Sequence, residues 1–427
     1  CFSVSLAKDY NFYTLIKVKQ TYFLFFIPCL FFGQVLEEKP PPDHINTVII
    51  HAEQEMENIP IVELGKAFTL RFDDLNANEA YYYYTIQHAN SDWSPTDLFK
   101  SEYLDGFDDI RIRTMSNSSA TLQGYTHYTL TLPNRDTRIV KSGNYLISIH
   151  DESNKLVFSR RFVVFEKNAN VQVGVFRLRS LDGIDTTQRV EIGVRTNNLN
   201  ARQPEEEILV WVLQNYKWAS AKKLTKPDYI MNQTLRYEYG DALLFEGGNE
   251  YFFFDTKDQR STGGNVAFIR RDELYQTILY PNFVRNENVY TYAPDINGNF
   301  SVQTTEGYNP NIDADYTLVT FSLRTSARGY GFYVSGMFNN HQPQESHQLV
   351  YSPTNKLYHV TIPLKQGIYN YKFITTAPTG ELLENAVSGS HWEAENDYLA
   401  LVYFRKFGER YDRLVGIGIG NSTQIQN

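Results

Sequence analysis

Along most of the chain, apolar positions alternate with polar ones, or run together briefly, between clusters of Gly, Pro, Asn and Asp. Thr47-Val48-Ile49-Ile50, Phe68 to Phe72, Tyr81 to Gln87, Tyr125 to Leu132, Gly143 to His150 and Phe158 to Phe165 each carry the branched and aromatic side chains that suit a pleated, half-buried surface. Their punctuation falls at sandwich-like spacing. Successive strand side chains point to opposite faces, so the run Tyr81-Tyr82-Tyr83-Tyr84 must place two of its rings away from the core.

The same pattern recurs twice more. Gln188 to Arg195, Ile208 to Leu213 and Glu250 to Asp255 predict strands of a second region, and Asn297-Gly298, flanked by Tyr292 and Phe300, is a type I′ hairpin signal. Tyr316 to Leu323, Gly331 to Val334, Tyr358 to Ile362 and Tyr369 to Ile374 predict a third. Helical periodicity of any length is nearly absent. The expected fold is all-β, with three consecutive β-sandwich modules of immunoglobulin-like or early-set-like type at 45–165, 166–300 and 301–405. Pro40-Pro41-Pro42 predicts an extended tether over 34–44, and 406–427 reads as a tail.

Composition sharpens this picture. The 427 residues hold 31 Tyr and 28 Phe against 4 Met, a surplus that suits strands and wet interfaces. A net charge of -9 disfavours nucleic acid as a partner, because an acidic surface repels phosphate. At the N-terminus, Lys17 and Lys19 precede the uncharged run Tyr22 to Phe32, which ends at Gly33-Gln34. That arrangement predicts a secretory signal peptide over 1–33, preceded by a doubtful extension, since the sequence opens on Cys1 rather than Met. Pro28 before Cys29 is wrong for a lipobox, which wants a small residue there. Cys1 and Cys29 are the only cysteines, so the expected mature protein has no disulfide and depends on its cores. Export without a spanning helix implies a soluble or membrane-peripheral protein.

Candidate chemistry is sparse. Asp74, Asn76, Asn78 and Glu79 imitate the start of a calcium loop, but Glu79 and Thr85 stand where Gly and a bidentate carboxylate are needed, so a polar turn is expected. Gly416-Ile417-Gly418-Ile419-Gly420 has too little chain behind it for a dinucleotide-binding helix and reads as a terminal strand or loose tail. His341 and His347 form the nearest histidine pair, in a loop, without metal-site spacing. No nucleophile elbow, zinc pair or phosphate loop is present. The expectation is no catalytic residue, no metal and no cofactor. Trp93, Tyr103 and Phe107, in a loop region rich in Trp, Tyr and Asp, are either sandwich-capping core or anchors for a partner.

Two resemblances extend these readings. Phe72-Asp73-Asp74-Leu75, Tyr81 to His88, Asp92-Trp93-Ser94-Pro95 and Ser101 to Phe107 resemble the first domain of the type IX secretion system plug proteins of Bacteroidota. Gly124 to Leu130, Ser142 to Leu146, Ile208 to Trp218, Phe245 to Glu250 and Asp295 to Gly298 continue that pattern over about residues 45–405. The resemblance implies a periplasmic, non-enzymatic protein, peripheral to the outer membrane. Such a protein binds the outer-membrane translocon pore and seals its periplasmic mouth when no cargo is present. Trp93, Tyr103 and Phe107 are then the expected partner-binding residues. Separately, Tyr333 to Asn340, Leu357 to Leu364 and Gly367 to Phe373 resemble the early-set modules of glycogen- and starch-active enzymes. That resemblance makes an exported carbohydrate-binding protein the alternative function, but Asn340, His341 and Gln342 stand where those modules usually have a Trp, which counts against sugar binding and leaves the sandwich fold intact.

Overall fold

A computed structural model describes residues 35–52, 58–196 and 198–424. The expected signal peptide over 1–33 lies outside the described residues. The first module holds β1 (Ile45–Ala52), β2 (Ile61–Glu63), β3 (Phe68–Asp74), β4 (Tyr83–Ala89), β5 (Leu104–Gly106), β6 (Ile110–Arg111), β7 (Thr114–Asn117), β8 (Thr126–Leu132), β9 (Thr137–Ile139), β10 (Gly143–His150) and β11 (Leu156–Phe165). Two sheets, in order β1-β3-β8-β7 and β2-β11-β10-β4-β6, enclose a core that includes Phe72, Tyr84, Tyr128, Tyr145 and Phe162. Alternation along the tyrosine run is as expected: Tyr82 and Tyr84 are buried, while Tyr81 is exposed and lies beneath the Arg111 guanidinium at 3.3 Å.

The second region begins with β12 (Asn170–Arg177), β13 (Thr187–Arg195), β14 (Ile208–Gln214), β15 (Lys222–Leu224), β16 (Tyr229–Met231), β17 (Thr234–Tyr237) and β18 (Leu244–Glu246). The chain then crosses into a third module: β19 (Phe252–Asp255), β20 (Val266–Arg271), β21 (Tyr275–Leu279), β22 (Asn282–Phe283), β23 (Phe300–Val302), β24 (Tyr316–Arg324), β25 (Gly331–Ser335), β26 (Val350–Ser352), β27 (Leu357–Lys365), β28 (Gly367–Thr376) and β29 (Leu382–Leu383). It finally returns as β30 (Asp397–Phe404) and β31 (Arg413–Asn421).

That return corrects the expected boundaries. β30 pairs with β14, and β31 with β30, in a sheet ordered β15-β14-β30-β31. The second core accordingly joins Val190, Val210 and Leu235 to Tyr398, Val402 and Val415. The modules are therefore not consecutive: the third is an insertion in the second, and the expected tail at 406–427 supplies that module's last strand. An alternating run such as Tyr398 to Phe404 announces a strand but not its sheet, because register partners are set by packing.

The Gly-Ile-Gly-Ile-Gly run has a packing reason. A Cβ added at Gly418 would stand 2.8 Å from the Val171 carbonyl oxygen, and Gly416 and Gly420 face Ala169 and Val173 as closely. Backbone of β12 lies against a strand face kept bare of side chains. Gly418→Val is expected to cost about 1–3 kcal/mol by overpacking, read as a lower urea midpoint at unchanged slope.

Two further expectations change. Residues around Pro40–Pro42 are not a free tether: the Leu36 amide donates to the Trp93 carbonyl at 2.8 Å, and the Lys39 amide to Ser159 Oγ at 2.8 Å. Glu38 accepts from the Arg161 amide at 2.5 Å. Prolines lack an N–H, so the segment docks on β11 through the residues flanking them. Asn297 and Gly298 do adopt the left-handed backbone of a type I′ turn, but β23 pairs with β28 rather than with the residues before the turn.

Candidate docking surface

Ionic and polar junctions hold the modules against one another. Asp73, at the end of β3, is fully buried and accepts from Lys365 Nζ at 2.7 Å and Tyr316 Oη at 2.6 Å, both on the third module. Its other oxygen meets His127 Nδ1 at 2.6 Å. Burial pushes the Asp73 carboxyl up, but Lys365, and then His127, pull it down further, so it titrates below the ordinary carboxylate value. Between the first and second modules, Asp412 Oδ2 accepts from the amide and hydroxyl of Ser91 at 2.9 and 2.7 Å. Asn144 accepts from Tyr403 Oη at 2.6 Å. Between the second and third, Glu384 accepts from Lys217 and, at 3.0 Å, from Lys372. A desolvated pair whose partners come from different modules fixes their relative placement, because separating it strands a buried charge.

This frame decides the three sequence-predicted partner residues. Trp93 is 4% exposed and packs in the core shared by the first and second modules, with Leu399, Leu401 and Leu414. Its ring meets Trp218 edge-on, with centroids 4.9 Å apart, and the Arg161 guanidinium lies 4.4 Å from it on another side. Its backbone is left-handed, at φ 66°, an uncommon state for a bulky residue and one that the Asn90–Ser94 turn imposes. Tyr103 is buried too, beside His88 and Tyr145, with its hydroxyl directed to the Ile86 carbonyl. Both rings are core, and neither is available as an anchor. Phe107 is the exception, at 77% exposed.

Phe107 has company that the sequence reading missed. Phe99 and Phe407 are 74% and 98% exposed. Ion pairs stitch their three loops together: Lys100 meets Asp108 at 2.8 Å, and Arg410 donates to Glu102 and, at 3.2 Å, to the Asp97 carbonyl. Gly106, at φ 98°, lets the chain pass the Asp136 carbonyl, where a Cβ would fall 2.1 Å away, and so presents Phe107 outward. Three large rings are thus exposed on loops that these bonds tie together. Phe407 is 300 residues from Phe107 in sequence, and only the return of β30 and β31 brings its loop here.

The other candidates resolve as structure. Asp74 Oδ1 accepts from the Asn76 amide at 2.9 Å, and its other oxygen from Tyr82 Oη at 2.9 Å, which makes the calcium-like stretch a side-chain-capped turn. Asn339 is buried and bonds the Gly336 amide and the Val334 carbonyl, while Phe338 packs on Tyr369, so this part of the early-set-like motif builds a turn. His341 is buried beside Tyr251 and Lys217, and burial, then Lys217, lowers its imidazole to about 3. Among the described residues, no three His, Cys, Asp or Glu side chains are grouped to hold a metal ion, and no helix is long and apolar enough to cross a membrane.

The first module is thus a β-sandwich with exposed rings at Phe99 and Phe107. Comparison covers part of the chain: residues 45–166 match the family model described as type 9 secretion system plug protein 1st domain, which supports a plug-type first domain over that stretch. That family is not an enzyme family. A solved structure of a hypothetical protein from Parabacteroides merdae ATCC 43184 is similar over 91% of this chain and 100% of that one, at 27% identity and a TM-score of 0.85. Trypsin-activated alpha-2-macroglobulin from Escherichia coli aligns over 90% of this chain and 31% of that one at 8% identity, and its TM-score of 0.17 bears on nothing. No curated protein matches the chain.

Proposed function

We propose that this protein is a non-enzymatic periplasmic plug: it binds the outer-membrane translocon of the type IX system and closes its periplasmic opening when no cargo is present. The match of residues 45–166 to the plug-protein first domain carries the reading. Physical requirements agree with it. Blocking a wide opening takes a body that keeps its shape, and three modules locked by desolvated ion pairs provide one. Reversible docking takes an exposed, pre-organised surface, and the loops carrying Phe99, Phe107 and Phe407 provide that.

The test is affinity capture of the tagged protein from detergent-solubilised envelopes, with bound proteins identified by mass spectrometry. Recovery of the translocon barrel is expected. A combined Phe99→Ser, Phe107→Ser, Phe407→Ser variant is expected to lose roughly a hundredfold to two-hundredfold in affinity, at about 1 kcal/mol for each ring. Its thermal unfolding should be unchanged, since none of these rings is in a core. Wild-type protein recovered without the barrel, but retained on insoluble polysaccharide, would instead favour the carbohydrate-binding alternative.

A further inference from the structure

The chain crosses between the second and third modules twice, outward over 247–251 and back over 391–397, and the two crossings touch. The His391 amide donates to the Gly248 carbonyl at 2.8 Å, and a Cβ on Gly247 would fall 1.9 Å from the His391 carbonyl oxygen. Glu250, on the outward crossing, is 1% exposed. Its Oε1 accepts from Tyr290 Oη and, at 3.2 Å, from the Glu395 amide on the return crossing. Its Oε2 is buried and has no hydrogen-bond donor among the described residues. What stands beside it is the Asp295 carboxyl, whose own oxygens accept from the amides of Tyr251 at 2.5 Å and Asn297 at 2.7 Å. Two acceptor groups face each other where a hydrogen bond needs one donor.

We propose that Glu250 and Asp295 share a single proton, as O–H···O⁻, and that its loss to solvent loosens the seam joining the inserted module to its host. With the proton in place the orphaned Glu250 oxygen is satisfied and one negative charge remains; without it two carboxylates repel in a desolvated site. Other charged and titratable groups frame the pair. Arg285 donates to the Glu250 backbone carbonyl, and Tyr290 and Tyr292 come from the same loop as Asp295. Glu393, Glu395 and His391 lie on the return crossing, Asp397 accepts from Asn297 at 3.0 Å, and Lys372 sits across the Tyr251 ring at 5.6 Å. Arg285 favours the ionised pair and the glutamates oppose it.

Burial first pushes the Asp295 carboxyl up to about 7, and Glu250 is raised by the same cause. A raised carboxyl means that the closed seam holds a proton which an opened one releases. Opening is therefore least favoured at low pH, grows through the window between the ordinary aspartate value of 3.8 and about 7, and levels off above it.

Hydrogen exchange of the full chain, corrected for intrinsic pH dependence, tests this at residues 247–251 and 391–397. Protection there is expected to fall at least tenfold between about pH 5 and about pH 8, while Glu250→Gln, whose amide donates permanently, keeps it at both. Protection independent of pH in the wild type, or an equal fall in E250Q, overturns the proposal. Should E250Q not fold, infrared spectra of the wild type decide. A buried protonated-carboxyl band persisting to about pH 6 supports the shared proton, and its absence refutes it.

Discussion

Replacing Asp73 by alanine is expected to lower the stability of the folded protein by about 3–5 kcal/mol, the largest loss of any single polar substitution considered for this chain. The carboxylate is completely buried and bonds Lys365, Tyr316 and His127 at once. Truncation leaves the Lys365 ammonium, itself 1% exposed, with only the Asn311 carbonyl as acceptor. The cost is mainly that of a stranded buried charge. A double variant, Asp73→Leu with Lys365→Met, should recover most of it, which distinguishes an uncompensated charge from a lost shape. Acid should act in the same direction. Because the folded carboxyl titrates below its ordinary value, its contribution is complete above about pH 4 and is lost as pH falls through the depressed value. Urea unfolding of the wild type and both variants, at neutral pH and at about pH 3, reads each of these effects.

Trp93→Ala is expected to cost about 3–5 kcal/mol, whereas Phe107→Ala should change stability by less than about 0.5 kcal/mol. Trp93 fills the core between the first and second modules, and its removal empties space against Trp218, Leu399 and Leu401 and uncovers the Arg161 stack. Phe107 touches little, being 77% exposed. The same pair should separate in the opposite sense in a binding assay that uses folded protein: Phe107→Ala weakens capture, and a Trp93 variant that still folds does not. Equal stability losses for the two would mean that the loop at 105–109 packs differently from the arrangement described.

The contrast shows what the residues could and could not disclose. Alternation and punctuation make the six longer strands of the first module readable, since those patterns follow directly from a pleat with one wet face, and the Tyr81–Tyr84 run resolves as that rule requires; the short β2, β5, β6, β7 and β9 carry no such pattern. Trp93 beside Asp92, Ser94 and Pro95 carries every local mark of an exposed loop. It is buried because a strand from far along the chain, β30, arrives to cover it, and no local pattern encodes that arrival. Strands β24, β25, β27 and β28 of the third module are readable, but its insertion in the second is not, for the same reason: Tyr398 to Phe404 announces a strand without naming the sheet it joins. Phe407 was passed over because a lone Phe beside Lys406 and Gly408 carries no signal until Arg410 ties its loop to Glu102. The buried junction at Asp73 was half visible. Its aspartate lies within the Phe72-Asp73-Asp74-Leu75 motif, but Lys365, nearly 300 residues later, is invisible as its partner.

The most direct measurement of the central claim is electrical. Purified translocon reconstituted in a planar bilayer should lose conductance when saturating wild-type protein is added to the periplasmic side, and should recover it on washing. The triple Phe99, Phe107, Phe407 serine variant at the same concentration should leave the pore conducting. A pore that stays open under saturating, folded wild-type protein would contradict the plug reading.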